Sequence, residues 1–315
     1  MSEVVLNQVV TDKYSIYNGD SCEILPLLPT NSVDYCIHSP PFASLYTYSN
    51  SPRDLGNCRD YEDFLAHFDF IIKELARILK PGRNLSFHCM LLPSSKQMDG
   101  FIGLRDFRGD LIRAFQNHGF IFHSEVVIWK NPVVAMQRTK ALGLLHKTVR
   151  GNATMSRQGI PDYLVTMRNA GECEERVTHD VKQYPVAKWQ EVASPVWMDI
   201  NQSNTLQHKS AREDNDERHI CPLQLEVIER AVDLWTNPGD VVLSPFAGIG
   251  SEGYVSCKMG RKFIGVELKT SYFNQAVKNL ESVNKNVNTS LFDFGDFQEE
   301  QINEPEPDQL DLFVD

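Results

Sequence analysis

The sequence predicts an α/β protein built around a doubly wound, mostly parallel sheet. Short β-rich runs alternate with amphipathic helical stretches, the pattern of parallel strands joined by helices. A glycine-rich turn follows a late apolar run at residues 241–250, as in a nucleotide-binding βαβ unit. Between the two regular parts, residues 131–218 break the alternation, and we expect an inserted region there.

The first part of the chain contains four predicted strands and three predicted helices. Strands are expected where β-branched and aromatic residues cluster, at residues 14–18, 33–38, 85–90 and 124–130. A brief helix ended by prolines separates the first two strands. The stretch 61–79 follows Asp60 as N-cap, carries an apolar stripe at helical spacing and stops before Pro81. A further helix is predicted near 106–117.

Regular order returns after the inserted region, which itself contains one predicted strand at 162–168. The later elements are expected as helix, strand, helix and strand at residues 222–235, 241–245, 251–259 and 262–268. Beyond residue 285 the chain is acidic and contains prolines, so we predict a disordered tail over 286–315.

The formal net charge of −11 is unevenly distributed. From Phe292 to Asp315 there are nine acidic residues and no basic ones. Between Lys130 and Ala170, seven lysines and arginines face a single acidic residue, Asp162. We therefore predict a basic segment able to contact an anionic partner such as nucleic acid, hidden in the overall charge by an acidic tail.

Composition also bears on location and metals. No apolar run approaches the ~20 residues that span a bilayer, and the N-terminus lacks a signal-peptide pattern, so we expect a cytoplasmic protein without membrane partners. The seven cysteines are odd in number and never form a CxxC pair. This pattern argues against a disulfide framework and a zinc site, and we expect no metal.

Two loops are candidates for a functional site. The strand at 33–38 is followed by Ser39-Pro40-Pro41-Phe42, in which two prolines fix φ and donate no backbone hydrogen bonds. This loop is therefore stiff and presents free carbonyls. Because loops at the carboxyl ends of neighbouring central strands converge, we expect it to share one crevice with the glycine-rich turn.

The glycine-rich turn forms the second candidate. Gly248 and Gly250 permit a tight turn and close approach of a ligand, and Glu267 is spaced to accept both ribose hydroxyls. Gly248, Gly250 and Gly253 also satisfy GxGxxG, so a nicotinamide or flavin oxidoreductase is an alternative. A non-catalytic DNA-binding protein with a retained fold is another.

The ordered set of motifs resembles the S-adenosylmethionine-dependent DNA amino-methyltransferases in which the catalytic motif precedes the target-recognition region and the cofactor motif follows. The matching pieces are NGD (Asn18 to Asp20), SPPF (Ser39 to Phe42), ELARILKPG (Glu74 to Gly82), HICPLQ (His219 to Gln224), PFAGIGS (Pro245 to Ser251) and GVEL (Gly265 to Leu268). The resemblance covers residues 12–130 and 218–280.

The resemblance implies a Rossmann-like methyltransferase fold, S-adenosyl-L-methionine as cofactor, double-stranded DNA as substrate and a cognate restriction enzyme as a candidate partner. It divides the chain into a catalytic half (1–130), a target-recognition region (131–218), a cofactor-binding half (219–285) and the tail (286–315).

The diproline loop suits amino methylation. An exocyclic amine is a poor nucleophile, and two acceptors holding its hydrogens turn its lone pair toward the methyl group. Ser39 through its hydroxyl and Pro40 through its carbonyl supply those acceptors, Pro41 stiffens the loop, and Phe42 stacks on a flipped base. In the family, Ser-Pro-Pro-aromatic goes mostly with N4 of cytosine and Asp-Pro-Pro-Tyr with N6 of adenine. We therefore favour cytosine, with adenine as the alternative.

The resemblance also assigns the cofactor side. The residues expected there are Asp20, Ser244, Pro245, Phe246, Gly248, Gly250, Ser251 and Glu267. Asp20 is expected at the cofactor adenine, with a turn aspartate as the alternative. Phe246 either packs on the cofactor or fills the core. Ser244 departs from the family, which usually has aspartate at this position.

Two sets of residues are predicted to contact macromolecules. The candidates for DNA contact are Lys130, Arg138, Lys140, Lys147, Arg150 and Arg157. The tail sequence QLDLF resembles the peptide with which bacterial replication proteins bind the sliding clamp. Its expected contact residues are Gln309, Leu310, Leu312 and Phe313.

Overall fold

A nine-stranded sheet forms the centre of the protein. The computed structural model describes residues 4–41, 61–94, 96, 100–139, 141–182, 184–206 and 222–286. Contacts divide the chain into one unit, Met1–Val283, and a second unit, Asn284–Asp315. The candidate site described below lies in the first unit.

Eleven strands occur within the described ranges. They are β1 (Val5–Val10), β2 (Tyr14–Gly19), β3 (Tyr35–His38), β4 (Asn84–Met90), β5 (Leu92–Ser94), β6 (Gly103–Arg105), β7 (Ile121–Ile128), β8 (Asp162–Arg168), β9 (Val196–Trp197), β10 (Val241–Ser244) and β11 (Lys262–Glu267).

Nine α-helices occur within the same ranges. They are α1 (Ser21–Ile24), α2 (Tyr61–Ile78), α3 (Phe107–Asn117), α4 (Pro132–Thr139), α5 (His146–Gly151), α6 (Val186–Ala193), α7 (Leu225–Trp235), α8 (Ser251–Lys258) and α9 (Thr270–Asn286).

The strand order in the main sheet is β1-β2-β11-β10-β3-β4-β8-β7-β9. The five strands from β2 to β4 run parallel, and β1 is antiparallel to β2. β8 is antiparallel to both of its neighbours, β4 and β7. The predicted doubly wound, mostly parallel sheet is therefore confirmed.

The last part of the sheet differs from the alternation read from the sequence. β7 does not lie beside β4, because the chain continues past β7 and returns as β8, which inserts between them in antiparallel orientation. β8 and β9 belong to the main sheet although both lie within the predicted insertion, residues 131–218. The functional division at that region stays a prediction.

Two apolar clusters cover the faces of the sheet. On one face, α2 buries the stripe expected from its helical spacing, with Phe64, Phe68, Ile72 and Leu75 fully buried against β3 and β4. On the other face, α7, α8 and α9 pack against β10 and β11. Full burial of such side chains stabilises by about 1.5–3 kcal/mol each, so these faces hold the sheet in place.

The winding of the chain reverses between β10 and β3, which are neighbours. From β10 the chain passes through α8 to β11 on one side, and from β3 it continues to β4 on the other side. In open α/β sheets, ligands bind in the crevice outside the carboxyl ends of the strands at this reversal.

A charged cluster ties the amino ends of three strands together. Arg83, Asp34 and Asp240 directly precede β4, β3 and β10, and the Arg83 guanidinium contacts both carboxylates. Its Nε donates to the carbonyl oxygen of Asp34 at 2.9 Å. Lys80 Nζ lies 2.8 Å from Asp34 Oδ1. We call these four residues the amino-edge cluster.

The described residues contain neither a candidate membrane span nor a candidate metal site. No helix in that part of the chain is long and apolar enough to cross a bilayer. In the same part, no group of three or more histidine, cysteine, aspartate or glutamate side chains is arranged to hold a metal ion.

Candidate active site

The diproline loop and the glycine-rich turn meet at the carboxyl edge of the sheet. Their strands are hydrogen-bonded neighbours, since Val242 and Leu243 of β10 pair with Tyr35 and Cys36 of β3. Across the two loops, the rings of His38 and Phe246 have centroids 5.8 Å apart. The two motifs, separated by some two hundred residues in the chain, therefore begin side by side at the edge where open α/β sheets have their ligand crevice.

His38 and Phe246 form part of the core beneath this crevice. Phe246 stacks on Phe68 of α2 with centroids 6.1 Å apart, and His38 is fully buried beside both rings. Burial lowers the pKa of His38 to about 3, so its imidazole is neutral at physiological pH. Phe246 thus packs on the core, and its contact with a cofactor stays a prediction.

The glycine-rich turn leaves an open surface on its outer side. Gly248 has φ +52°, and a Cβ added there meets nothing within 4 Å. Gly250, with φ +83°, is the N-cap of α8. A Cβ on Gly253 would lie 2.5 Å from the Phe263 ring, so this glycine lets α8 pack on β11. Only the first of these glycines faces space that a ligand can fill.

Glu267 is held against the turn by two backbone donors. Its Oε2 accepts from Gly248 N at 2.8 Å and its Oε1 accepts from Lys269 N at 2.9 Å. These two bonds fix the orientation of the carboxylate. This geometry is compatible with the predicted ribose contact.

Asp20 borders the same crevice from the end of β2. Its Oδ1 caps α1 by accepting from Cys22 N at 2.9 Å. The next residue, Ser21, donates to the carbonyl oxygen of Pro245, which ties β2 to the glycine-rich turn. Asn18 Nδ2 donates to the carbonyl oxygens of Glu267 and Leu268 at 2.9 and 3.0 Å. The NGD motif therefore lies beside the glycine-rich turn and Glu267, and its contact with a cofactor stays a prediction.

Two buried hydroxyls on this side lack partners among the described residues. They are Ser244 Oγ, at the end of β10, and Ser251 Oγ, in the first turn of α8. Buried polar atoms are nearly always hydrogen-bonded in native structures. Together with the open space at Gly248, these atoms fit a polar, nucleoside-like cofactor.

Glu252 is a buried carboxyl group next to the turn. Burial raises its pKa to about 8; a backbone hydrogen bond opposes the shift, and the charge of Glu267 adds to it. The side chain is 5% exposed. Glu252 is therefore largely protonated at neutral pH and keeps a second negative charge away from Glu267.

Four polar side chains beside the diproline loop contact one another in a chain. Ser39 Oγ lies 3.2 Å from His88 Nδ1, and His88 Nε2 lies 3.1 Å from Asp162 Oδ2. Lys130 Nζ lies 2.6 Å from Asp162 Oδ1. We call Ser39, His88, Asp162 and Lys130 the carboxyl-edge cluster.

Asp162 is the buried centre of this cluster. Burial by itself would raise its pKa, but the contacts with His88 and Lys130 outweigh burial and hold the pKa below the usual value. Sequence inspection missed His88 and noted Asp162 only as an isolated acid, because neither lies in a motif. The register of β4 and β8 brings them together.

Several predicted site residues can now be placed. Pro40 is buried and Pro41 half-buried at the start of the loop. Other predicted residues lie outside the described residues: Phe42, Asp60, Lys140, His219 to Cys221, Gln309, Leu310, Leu312 and Phe313. The side chain of Arg138 is also outside the description, although its backbone belongs to α4.

The part of the basic segment that precedes β8 begins and ends at the carboxyl edge. Ile128, at the end of β7, pairs with Asp162, at the start of β8, so the intervening residues 129–161 leave and return beside the crevice. Within it, Lys147 and Arg150 of α5 are exposed. Arg157 is half-buried, and burial lowers its pKa. Lys130 is engaged with Asp162, and its contact with DNA stays a prediction.

The doubly wound sheet, with a glycine-rich turn and a rigid polar loop at one reversal point, defines the class of Rossmann-like α/β proteins that bind nucleoside cofactors. Within this class, a model described as DNA methylase matches residues 33–278, which is more than half of the chain. The chain belongs to this DNA methylase family. The resemblance stated from the motifs, and with it the expectation of a DNA amino-methyltransferase, is confirmed.

Individual relatives are distant. The chain is 26% identical over 263 residues to the Type II methyltransferase M.BglII of Bacillus subtilis, covering 83% of this chain and 67% of the relative. It is 28% identical over 264 residues to M.BamHI of Bacillus amyloliquefaciens, covering 82% of this chain and 55% of the relative. The chain thus spans roughly two thirds and one half of these two proteins.

Solved structures share the fold. The DNA modification methylase TTHA0409 of Thermus thermophilus, complexed with S-adenosyl-L-methionine, matches with a TM-score of 0.63 at 23% identity, over 86% of this chain and 95% of that one. The cytosine-N4-specific PvuII DNA methyltransferase matches with a TM-score of 0.61 at 18% identity, over 88% and 92%. The predicted Rossmann-like methyltransferase fold is therefore confirmed.

Proposed function

We propose that this protein transfers a methyl group from S-adenosyl-L-methionine to the exocyclic amino group of a base flipped out of duplex DNA, with N4 of cytosine as the favoured target. The observation that carries the proposal is the meeting of the two motif loops across the His38–Phe246 contact of 5.8 Å. A methyl donor on one side and an amine on the other need such a shared crevice.

The cofactor side has the features that a nucleoside-like ligand requires. When bound, S-adenosyl-L-methionine supplies a methyl group on a positively charged sulfur that becomes neutral on transfer. The open surface at Gly248 admits close approach, and the fixed carboxylate of Glu267 accepts the ribose hydroxyls. Asp20 faces the adenine in this arrangement. Ser244 and Ser251 offer buried hydroxyls to the rest of the ligand.

The base side orients the amine. Ser39 Oγ and the carbonyl oxygen of Pro40 each accept one hydrogen of the amino group, which directs the nitrogen lone pair toward the methyl carbon. The prolines hold both acceptors in place before the base arrives, so little reorganisation is needed. Phe42 stacks on the flipped base. The amine gains the methyl group, and the proton it then carries in excess is lost to solvent.

The segment 129–161 contacts DNA in this proposal. It leaves the sheet beside the crevice, and its exposed Lys147 and Arg150 are available to phosphates. Arg138, Lys140 and Arg157 are the further predicted DNA contacts in the same part of the sequence. Target recognition is proposed for residues 131–218 as a whole, and the part before β8 keeps its base-reading groups next to the chemistry.

The choice between cytosine and adenine rests on the loop sequence. A Ser-Pro-Pro-Phe loop provides a neutral hydroxyl acceptor, which the resemblance associates with cytosine. Similar proteins include both types: PvuII DNA methyltransferase is cytosine-N4-specific, and YhdJ of Escherichia coli K12, 23% identical over 269 residues, is a DNA adenine methyltransferase. Adenine N6 is therefore the runner-up target.

Nucleoside mass spectrometry tests the target directly. DNA from a methylation-free host expressing the full chain is expected to contain N4-methylcytosine, with none in a host expressing Ser39→Ala. N6-methyladenine would reverse the choice of base and keep the enzyme class. A lack of any new methylated nucleoside, with purified protein also inactive on that DNA, would contradict the proposed activity.

Binding experiments test the two sides separately. Gly248→Asp and Glu267→Ala are expected to weaken S-adenosyl-L-methionine binding in calorimetry, with no heat of binding for NAD. Ser39→Ala and Phe42→Ala are expected to reduce methyl transfer by about 10²-fold or more while DNA affinity stays within twofold. Normal turnover in these two variants would remove the assigned roles of the loop.

We also propose that the QLDLF tail docks on the bacterial sliding clamp. A glutamine anchor and a Leu-Phe pair suit an apolar groove on that partner, and an acidic tether separates them from the catalytic unit. Immobilised clamp should retain the full chain and release a chain ending at Pro307. Equal retention of both would contradict this proposal. A cognate restriction enzyme remains a candidate partner of the same activity.

A further inference from the structure

We propose that His88 is a positioning residue that keeps the hydroxyl of Ser39 as a hydrogen-bond acceptor toward the target amine, with Asp162 and Lys130 fixing its imidazole. This inference rests on the proposed role of Ser39 and extends it to residues outside every motif. It concerns the carboxyl-edge cluster alone.

A serine hydroxyl is an ambiguous partner for an amine. It carries one hydrogen and two lone pairs, and the hydrogen rotates to suit its surroundings. If the hydrogen points at the amino group, the hydroxyl competes for the lone pair that must attack the methyl carbon. The hydrogen of Ser39 therefore needs another acceptor, placed away from the base.

The strand register supplies that acceptor. His38, the last residue of β3, pairs with Phe87 in the middle of β4, so the next residues, Ser39 and His88, are neighbours on the same face of the sheet. The result is the 3.2 Å contact between Ser39 Oγ and His88 Nδ1. His88 is 8% exposed, which shields this contact from competing water.

Asp162 selects the useful tautomer of His88. A carboxylate only accepts hydrogen bonds, so we assign the hydrogen to Nε2, the ring nitrogen that lies 3.1 Å from Asp162 Oδ2, although the two groups are not aligned as a hydrogen bond. Nδ1 then carries no hydrogen and accepts the hydroxyl hydrogen of Ser39. The lone pairs of Ser39 are left for the amine. This is the logic by which a buried carboxylate orients an imidazole in hydrolytic triads, applied here to an acceptor.

Lys130 completes the charge balance. Its ammonium lies 2.6 Å from the second oxygen of Asp162, which is buried with a side chain only 3% exposed. Because Lys130 compensates the buried negative charge, His88 does not have to be protonated to do so. A neutral imidazole with its hydrogen on Nε2 is consistent with all three contacts.

Kinetic variants test the role of His88. In single-turnover methyl transfer by the full chain, His88→Leu is expected to slow the reaction about 100-fold while the Kd for S-adenosyl-L-methionine stays within about twofold. His88→Gln is expected to recover at least about tenfold of that loss, because its amide oxygen accepts the Ser39 hydrogen. His88→Leu at the wild-type rate, or His88→Gln as slow as His88→Leu, would overturn the inference.

A matched control separates this role from histidine loss in general. His118 also contacts an aspartate, with Nε2 2.6 Å from Asp69 Oδ1, but it precedes β7 and so lies at the opposite edge of the sheet. His118→Gln is expected to keep the wild-type rate. Thermal unfolding of all variants identifies any that lose the fold.

Asp162→Asn tests the tautomer without touching His88. Lys130 is expected to hold the amide oxygen, which turns the amide NH₂ toward His88 Nε2 and moves the imidazole hydrogen to Nδ1. Ser39 then receives a hydrogen bond and points its own hydrogen at the amine. We expect a rate loss of at least about tenfold, with unchanged cofactor affinity. An unchanged rate would contradict the orienting role of Asp162.

Nitrogen NMR of the wild-type chain gives a readout that needs no variant to be active. With ¹⁵N-labelled histidine, the His88 signals, assigned by their loss in His88→Gln, are expected to show a protonated Nε2 and a bare Nδ1. The opposite tautomer or an imidazolium would overturn the inference.

The failure of this inference is distinguishable from failure of the proposed function. If Ser39→Ala abolishes methyl transfer but the His88 variants do not slow it, only the positioning role is lost. If Ser39→Ala itself transfers methyl groups normally, the proposed role of the diproline loop is wrong. The tautomer of His88 found by NMR would then have no role in methyl transfer.

Discussion

Two buried charged clusters lie at opposite edges of the same sheet. The amino-edge cluster joins Arg83 and Lys80 to two carboxylates, and the carboxyl-edge cluster joins Lys130 and His88 to Asp162. Both take charges out of water, and both connect strands that are distant in sequence. Their positions relative to the strand direction separate their roles.

The difference shows that burial of charge does not by itself mark a functional site. The Arg83 side chain is 2% exposed and bridges the starts of β3, β4 and β10, where no motif loop emerges. Asp162 is equally buried but lies where β3 and β10 end and both motif loops begin. The amino-edge cluster is explained by holding the sheet, whereas the carboxyl-edge cluster also reaches Ser39.

The largest expected effect comes from breaking the amino-edge cluster. Arg83→Met leaves the Asp34 and Asp240 carboxylates buried without their guanidinium, and we expect a loss of about 3–5 kcal/mol in the free energy of unfolding. Urea unfolding measures it, with exposed Arg113→Met as a control that leaves the midpoint unchanged. The methyl-transfer rate per folded molecule should stay within twofold. A tenfold lower rate would contradict the separation of the two edges.

Glu252 contrasts with the carboxylates of both clusters, because the charge that acts on it, that of Glu267, has the same sign and not the opposite one. Its folded pKa of about 8 lies above the unfolded value of 4.5, so the native state binds the proton more tightly. The stability from this group is intact below pH 4.5 and falls as pH rises toward 8. Relative to wild type, Glu252→Gln should therefore gain about 2–4 kcal/mol between pH 5 and pH 8. Parallel pH profiles in urea unfolding would contradict this.

The same kind of change at the carboxyl edge is expected to cost less stability. Asp162→Asn removes a buried carboxylate, but Lys130 keeps its contact with the amide oxygen, and its side chain, 28% exposed, is partly hydrated. We expect a loss of about 1–3 kcal/mol in urea unfolding, smaller than for Arg83→Met. Its larger consequence should be the slowed methyl transfer. Equal stability losses at the two clusters would remove the distinction between them.

The smallest effect concerns the basic segment. Lys147→Ala is expected to reduce the salt slope of DNA binding by about one, because an exposed lysine neutralises about one phosphate. Lys130→Ala should change the slope less, since its ammonium is engaged with Asp162. Fluorescence anisotropy at several salt concentrations measures both slopes. Lys258→Ala is the control, because Lys258 lies at the C-terminal end of α8, away from the glycine-rich turn. Equal changes for Lys130 and Lys147 would place both on the DNA.

The sequence was most informative where periodicity is local. The apolar stripe predicted for 61–79 became α2, Tyr61–Ile78, and the strand predicted at 162–168 is β8 to the residue. Clear punctuation by proline and glycine set these limits. The glycine-rich turn could also be predicted from the sequence, because its glycines permit a tight turn and Glu267 follows at the expected spacing.

Features that depend on pairing between strands distant in sequence could not be predicted from the sequence. β1 is a largely exposed edge strand and β9 has two residues, so neither has a strong periodic signal. The antiparallel insertion of β8 between β4 and β7 depends on where the chain returns, not on local sequence. His88 was missed for the same reason: only the register of three strands brings it to Ser39 and Asp162.

The pairing of Ile128 with Asp162 has an evolutionary consequence. Because the chain between them departs from and rejoins the sheet at one point, its length and sequence can vary while the strands keep their register. In the proposed function, exchange of this piece alone would change the sequence preference. A chimera carrying the equivalent segment of a relative should adopt that relative's recognition site and keep its own methyl-transfer chemistry.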